Sequence, residues 1–233
     1  QEALWLDNQN REINPSSRGD WSGWIAATRT RNYVLGDPLL DWLSSYGSKN
    51  GFVQDTARPG YDPRTDFTQF IFAQGRRFED AVMEQIESLV PVTRIPSNPY
   101  AARELDVSIQ TVQAMNNGAE IIYQGVLRNP ETRTYGTPDL LVRSDVLAKL
   151  FPEQAPAIDT NQGAPGIGSP SRHYCIVDIK FTALHLTGTG SLMNVGSAPA
   201  YKVQVFLYNS ALGRIQGFTP SNGFVIGRGW QVR

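Results

Sequence analysis

An α/β (α+β) chain, in which a mixed β-sheet carries helices on its faces, is predicted by three observations. Residues 66–89 repeat apolar side chains at three- and four-residue steps, as an amphipathic helix requires. Two β-branched and apolar runs, Gly136-Thr137-Pro138-Asp139-Leu140-Leu141-Val142 and Ile176-Val177-Asp178-Ile179-Lys180-Phe181, read as strands. A second helical stretch over 200–212 separates the latter run from a last strand at 223–226. The order helix, strand, strand, strand, helix, strand gives the class.

Residues 1–20 are polar and without periodicity, and read as a lead-in. A helical pattern follows over 21–46, with Trp24, Thr28, Leu35, Leu39, Leu40, Trp42 and Leu43 as candidate core contacts. Gly36-Asp37-Pro38 interrupts it, Asp37 as a cap and Pro38 as the start of a second helix. Residues 46–64, rich in Gly, Pro and Asp, read as a loop. In the helix over 66–89, Asp66 is the cap, Phe78, Val82, Ile86 and Leu89 form the apolar stripe, and Pro91 ends it. Residues 120–127 and 135–143 read as an antiparallel hairpin about the turn Arg128-Asn129-Pro130-Glu131. Ser144-Asp145 caps a short helix through Phe151, and a flexible insertion occupies 152–172. The strand over 174–181 is central. Residues 182–199 connect it to the helix over 200–212, which Gly213 closes. The N-terminal segment is then 1–65 and the core 66–233.

A chain of 233 residues suits one domain, and 21 Lys and Arg against 22 Asp and Glu nearly cancel. Any nucleic-acid contact must therefore come from local clustering and not from the overall field. No run is long and apolar enough to span a bilayer, so no membrane partner is expected. Cys175 is the single cysteine, which excludes an internal disulfide, a cysteine-built zinc site and a four-cysteine iron–sulfur cluster. Its place beside Ile176 makes it a small core hydrophobe. This usage fits a reducing, intracellular setting, cytoplasm or nucleus. The chain opens on Gln1, which reads as a processed chain or part of a longer protein.

The chemistry concentrates in the two strands. Asp178 and Lys180 are two apart and so share a face, while Val177, Ile179 and Phe181 point to the other. Burying a charge is costly unless it is paired or bound to a metal. Glu79 sits at the edge of the helical stripe in Gly75-Arg76-Arg77-Phe78-Glu79, and Asp139 follows Pro138. Gln204 and Tyr208 lie four apart and share a helix face. Blander readings stand beside these: Glu79 as a solvated helix residue, Pro138-Asp139 as a turn, and Arg76 and Arg77 as a surface paired with Asp80 and Glu84. His173 and His185 lie in predicted loops, too far apart for a local metal pair.

The series G-x-x-F-E, P-D-L-L-V, V-D-I-K-F and Q-V-F-L-Y resembles the PD-(D/E)xK nuclease superfamily, nearest its RecB-like and phage recombination exonuclease branch. The resemblance covers about residues 66–212, in the family's order. The third motif reads Asp-x-Lys where many members have Glu-x-Lys, the insertion before Tyr174 is long, and no histidine precedes Glu79. It implies a restriction-endonuclease-like core and Mg²⁺- or Mn²⁺-dependent hydrolysis of phosphodiester bonds, with DNA, single- or double-stranded, preferred to RNA. Asp139, Asp178 and the Ile179 carbonyl would hold the ion, with Glu79 bound directly or through water. Lys180 would orient or deprotonate the attacking water and offset charge on phosphorus. Gln204 and Tyr208 would line the site. Arg76, Arg77 and Lys202, with Arg29 and Arg31, would contact phosphates, and Tyr123 or Tyr135 would stack on a base. Competing expectations are a non-catalytic nucleic-acid-binding member and an endonuclease of restriction or cap-cleaving type.

Overall fold

Hydrogen-bonded register orders the described residues into two mixed sheets, one of five strands and one of three. The computed structural model describes residues 23–95 and 101–233, so the predicted lead-in, and Trp21, lie outside the described residues. The elements are β1 (Ile25–Ala26), α1 (Arg31–Val34), α2 (Pro38–Trp42), α3 (Phe67–Glu87), β2 (Val92–Arg94), α4 (Leu105–Asn116), β3 (Ile121–Tyr123) and β4 (Leu127–Asn129). They continue with β5 (Thr134–Gly136), β6 (Leu140–Arg143), α5 (Ser144–Leu150), β7 (Tyr174–Leu186), α6 (Ala198–Gln216) and β8 (Phe224–Val232). The large sheet runs β2-β3-β6-β7-β8, antiparallel about β6 and parallel at both margins. The small sheet runs β1-β5-β4. The mixed α+β class is as the sequence predicts.

Period-two alternation along β7 divides the core. Tyr174 and Ile176 enter one apolar cluster with Val112 and Met115 of α4 and Val205, Tyr208 and Leu212 of α6. Cys175, Val177 and Ile179 enter a second cluster with Met83 and Ile86 of α3 and Val146 and Leu147 of α5. Helices thus cover both faces of the large sheet, which is why its inner strands are apolar on both sides. Asp178 occupies a position of the α6 face that alternation assigns to core, and it is 1% exposed. Cys175 is buried, its thiol pushed up to about 12 by burial.

The predicted hairpin is split between the two sheets. Its arms pair as β3 with β6, then leave the large sheet and pair again as β4 with β5. Arg128 and Asn129 therefore belong to a buried strand and not to a turn. The helical reading of 21–46 is corrected: β1 and a 3₁₀ turn precede two short helices. Leu35, Leu39, Leu40 and Trp42 are exposed there, and Ala27 is the buried residue. Short 3₁₀ turns punctuate the predicted loop over 46–64.

Several boundaries move for local reasons. Asp66 caps α3 by accepting the N–H groups of Thr68 and Gln69, whereas Asp37 makes no side-chain cap although Pro38 does start α2. The α3 stripe is completed by buried Met83, and Leu89 is exposed beyond the helix end at Glu87, before Pro91 is reached. Arg143, not Ser144, is the α5 cap residue, and it makes no capping bond. β7 extends through Thr182 to Leu186, carrying His185 inside the strand. α6 runs past Gly213 to a left-handed Gly217 at φ 71°. Gly213 lies within that helix because Thr219 packs where a Cβ would stand. Residues 152–172 form two 3₁₀ turns fastened to the body by buried Ile158, Ala164 and Ile167.

Sequence reasoning assigned nothing to β2 and α4. Two of the buried positions of α4 are Ser108 and Thr111, and these polar side chains blur the apolar period. Their hydroxyls are satisfied inside the helix, donating to the carbonyls of Leu105 and Val107.

Candidate active site

The end of β6 and the middle of β7 bring the acids together. Leu140 pairs with Val177, so one more step of the antiparallel register sets Asp139 opposite Asp178 and Pro138 opposite Ile179. Pro138 has no N–H to offer the Ile179 carbonyl. The Ile179 N–H donates to Oδ2 of Asp139 at 2.6 Å. The Ile179 carbonyl shares that edge of the strand, where proline supplies no ladder donor. The register thus sets Asp139 opposite Asp178, and the Ile179 main chain is tied to Asp139 through its N–H.

Lys180 lies on the same strand face as Asp178, and its ammonium approaches Oδ2 to 2.6 Å. By distance this contact is an ion pair. The other carboxylate oxygen of Asp178, Oδ1, is buried and receives no hydrogen bond among the described residues. Burial, then the charge of Asp178, raises the Asp139 carboxyl well above the usual carboxylate range, against the opposing pull of Lys180 and the Ile179 N–H. Burial lowers the tendency of Lys180 to hold its proton, but the charges of Asp178 and Asp139 outweigh it and the ammonium is favoured.

α6 closes this side. Gln204 donates from Nε2 to the Tyr208 hydroxyl at 3.0 Å, and Tyr208 is buried beside Gly136. A Cβ on Gly136 would stand 2.5 Å from Cε1 of Tyr208, so the ring occupies the space a side chain would need. Burial and the nearby Asp178 raise the Tyr208 phenol. Both predicted residues are thus brought to the acids. Tyr201, three residues before Gln204 on this face, was missed. The Lys180 ammonium lies 5.6 Å from its ring centroid and the Arg31 guanidinium 6.0 Å. Its spacing of three and seven from Gln204 and Tyr208 was the available signal.

Glu79 arrives differently. α3 covers the opposite face of the sheet, and Glu79 meets the end of β3 there. Its Oε1 accepts from the Tyr123 hydroxyl at 2.7 Å and from Gln124 Nε2 at 3.4 Å. Among the described residues no three His, Cys, Asp or Glu side chains form a metal-holding group. Asp139 and Asp178 face each other across the two strands, while Glu79 is bonded to Tyr123 and Gln124. The buried, unbonded Asp178 oxygen fits a hard divalent ion that retains several waters.

The remaining candidates are distributed unevenly. Arg76 and Arg77 are exposed on α3, and Arg31 donates to Ser197 Oγ at 2.8 Å near the start of α6. Lys202 is exposed and donates to Asn194 Oδ1 at 2.7 Å. Tyr135 is buried with its hydroxyl accepting from Arg103, and so presents no face to a base. Tyr123 carries the Arg94 guanidinium 4.7 Å from its ring centroid. His173 is buried at the start of β7, its Nδ1 2.9 Å from the Gln162 carbonyl, apart from the acids. Comparison with protein-family models, curated proteins and solved structures returned no match. No helix among the described residues is long and apolar enough to cross a membrane.

Proposed function

We propose that this chain is a metal-dependent nuclease that hydrolyses phosphodiester bonds of DNA, as its resemblance to the PD-(D/E)xK superfamily implies. The observation that carries the reading is the pairing of Asp139 and Asp178 on adjacent strands beside the Lys180 ammonium, with a buried Asp178 oxygen that no donor satisfies. Asp139, Asp178 and the Ile179 carbonyl would hold Mg²⁺ or Mn²⁺. The bound ion would polarise the scissile phosphate and lower the pKa of a water. Lys180, paired with Asp178, would orient or deprotonate the attacking water and offset charge gathering on phosphorus. Gln204 and Tyr208 keep the Asp178 side of the site filled and water-poor. Arg31, Arg76, Arg77 and Lys202 supply phosphate contacts at its margins.

Labelled single- and double-stranded DNA incubated with Mn²⁺ should release product, and release none with a chelator. Circular and linear substrates separate an internal cutter from an end-requiring exonuclease. One observation favours a non-catalytic nucleic-acid-binding module: Glu79 is engaged by Tyr123 and Gln124 and does not join the two aspartates. Binding of DNA with no product at any Mn²⁺ concentration would establish that alternative.

A further inference from the structure

Gln124 stands where the chain leaves β3 for the small sheet, and its φ is +55°, a left-handed conformation that L side chains rarely adopt. Glycine or asparagine meets such a conformation more readily than glutamine. Strain of this kind persists where surrounding contacts fix it, and it gathers at functional sites. The contacts of Gln124 are specific. Its main-chain N–H donates to the Asp139 carbonyl at 2.9 Å. Its side-chain Nε2 donates to the Tyr123 hydroxyl at 3.0 Å and to Glu79 Oε1 at 3.4 Å. The Tyr123 hydroxyl, bonded to the same Glu79 oxygen, completes a closed triangle.

A single residue therefore ties the main chain of one strand acid to the carboxylate that arrives on a helix from the other face of the sheet. Its N–H adds one rung to the β3–β6 ladder at Asp139, the left-handed conformation follows where the chain leaves that ladder, and its amide bonds Glu79 of α3. If only the turn mattered, glycine would serve it without strain. We infer that Gln124 is a positioning residue: its amide, with Tyr123, fixes Glu79 relative to Asp139 for the hydrolysis proposed above. This inference rests on that nuclease reading for its kinetic consequence and on Glu79 for its physical one.

The test uses Gln124→Gly, which keeps the backbone conformation and deletes the amide. Its thermal midpoint should equal or exceed that of the wild type. Its kcat on DNA should fall about tenfold with KM unchanged, and Gln124→Gly should cause no further loss in a Glu79→Gln background. Unchanged kcat, or an equal additional loss in that background, would overturn the inference. A second measurement is independent of hydrolysis: the thermal midpoints of Gln124→Gly, Glu79→Gln and the double variant, all metal-free. Shifts that fail to add support the coupling, and additive shifts refute it. If the wild type cleaves nothing, the nuclease reading falls, and the thermal cycle still decides whether Gln124 acts through Glu79.

Discussion

Ile179 donates its main-chain N–H to Oδ2 of Asp139, and this 2.6 Å bond replaces the ladder bond that the strand partner would otherwise make. It fixes one aspartate to the backbone of the strand that carries the other. The acids are thus held at adjacent positions of the sheet by main-chain geometry, although their charges repel.

Replacing Asp178 by Asn should lower Mn²⁺-dependent cleavage by on the order of 10²-fold or more while leaving DNA binding intact. Rates come from labelled-strand release, and affinity from fluorescence anisotropy in chelator. Cleavage at the wild-type rate would remove Asp178 from the site.

Lys180→Met should also abolish cleavage, and it should act on stability in the opposite sense to relief of repulsion. Asp178 is buried with the ammonium as its only close cationic contact among the described residues, and leaving such a carboxylate alone costs about 3 kcal/mol. Urea denaturation of metal-free protein should register this loss, and added Mn²⁺ should recover part of it. A Lys180→Met protein as stable as the wild type would place the ammonium in water.

The sign of the pH effect follows from Asp139. Its carboxyl is raised in the fold, foremost by burial, so the folded protein keeps a proton that the unfolded chain has released. This contribution to stability is complete below the ordinary carboxylate pKa and is lost as pH rises through the raised value. Lys180, also raised, contributes stability that is lost only as pH climbs through its own higher range, so it does not mask the effect. As pH rises above the ordinary carboxylate value of about 4, metal-free Asp139→Asn should show a flatter profile of thermal midpoint than the wild type. An equally steep profile would contradict the shift.

Gly136→Ala should destabilise by about 1–3 kcal/mol, the cost of forcing a methyl into a packed interior, because the new Cβ meets Cε1 of Tyr208. Combining it with Tyr208→Leu should restore part of the loss. A neutral Gly136→Ala, judged by denaturant midpoint at constant slope, would mean that the ring yields.

Patterning made the large-scale order legible. The stripe of Phe78, Val82 and Ile86 marks α3, and alternation in 174–181 marks β7 with Asp178 and Lys180 on a common face. Other elements hid behind chemistry that tertiary contacts satisfy. α4 escaped because Ser108 and Thr111 hold buried positions, and the exposed Leu39 and Leu40 of α2 mimic a core stripe that no element covers among the described residues. Gln124 was invisible as a site residue because its partner Glu79 lies far off in sequence, while Tyr201 left only its helical spacing from Gln204 and Tyr208 as a signal.

Local sequence alone settled that Asp178 and Lys180 could share a strand face, since side chains two apart on a strand must project alike, and that Pro138 must interrupt a ladder. Only the packed chain decided that β6 abuts β7 in the register that faces Asp139 toward Asp178, that the hairpin divides between two sheets at a left-handed glutamine, and that Glu79 comes from the opposite face. Those outcomes depend on contacts between distant residues, which periodicity along the chain does not encode.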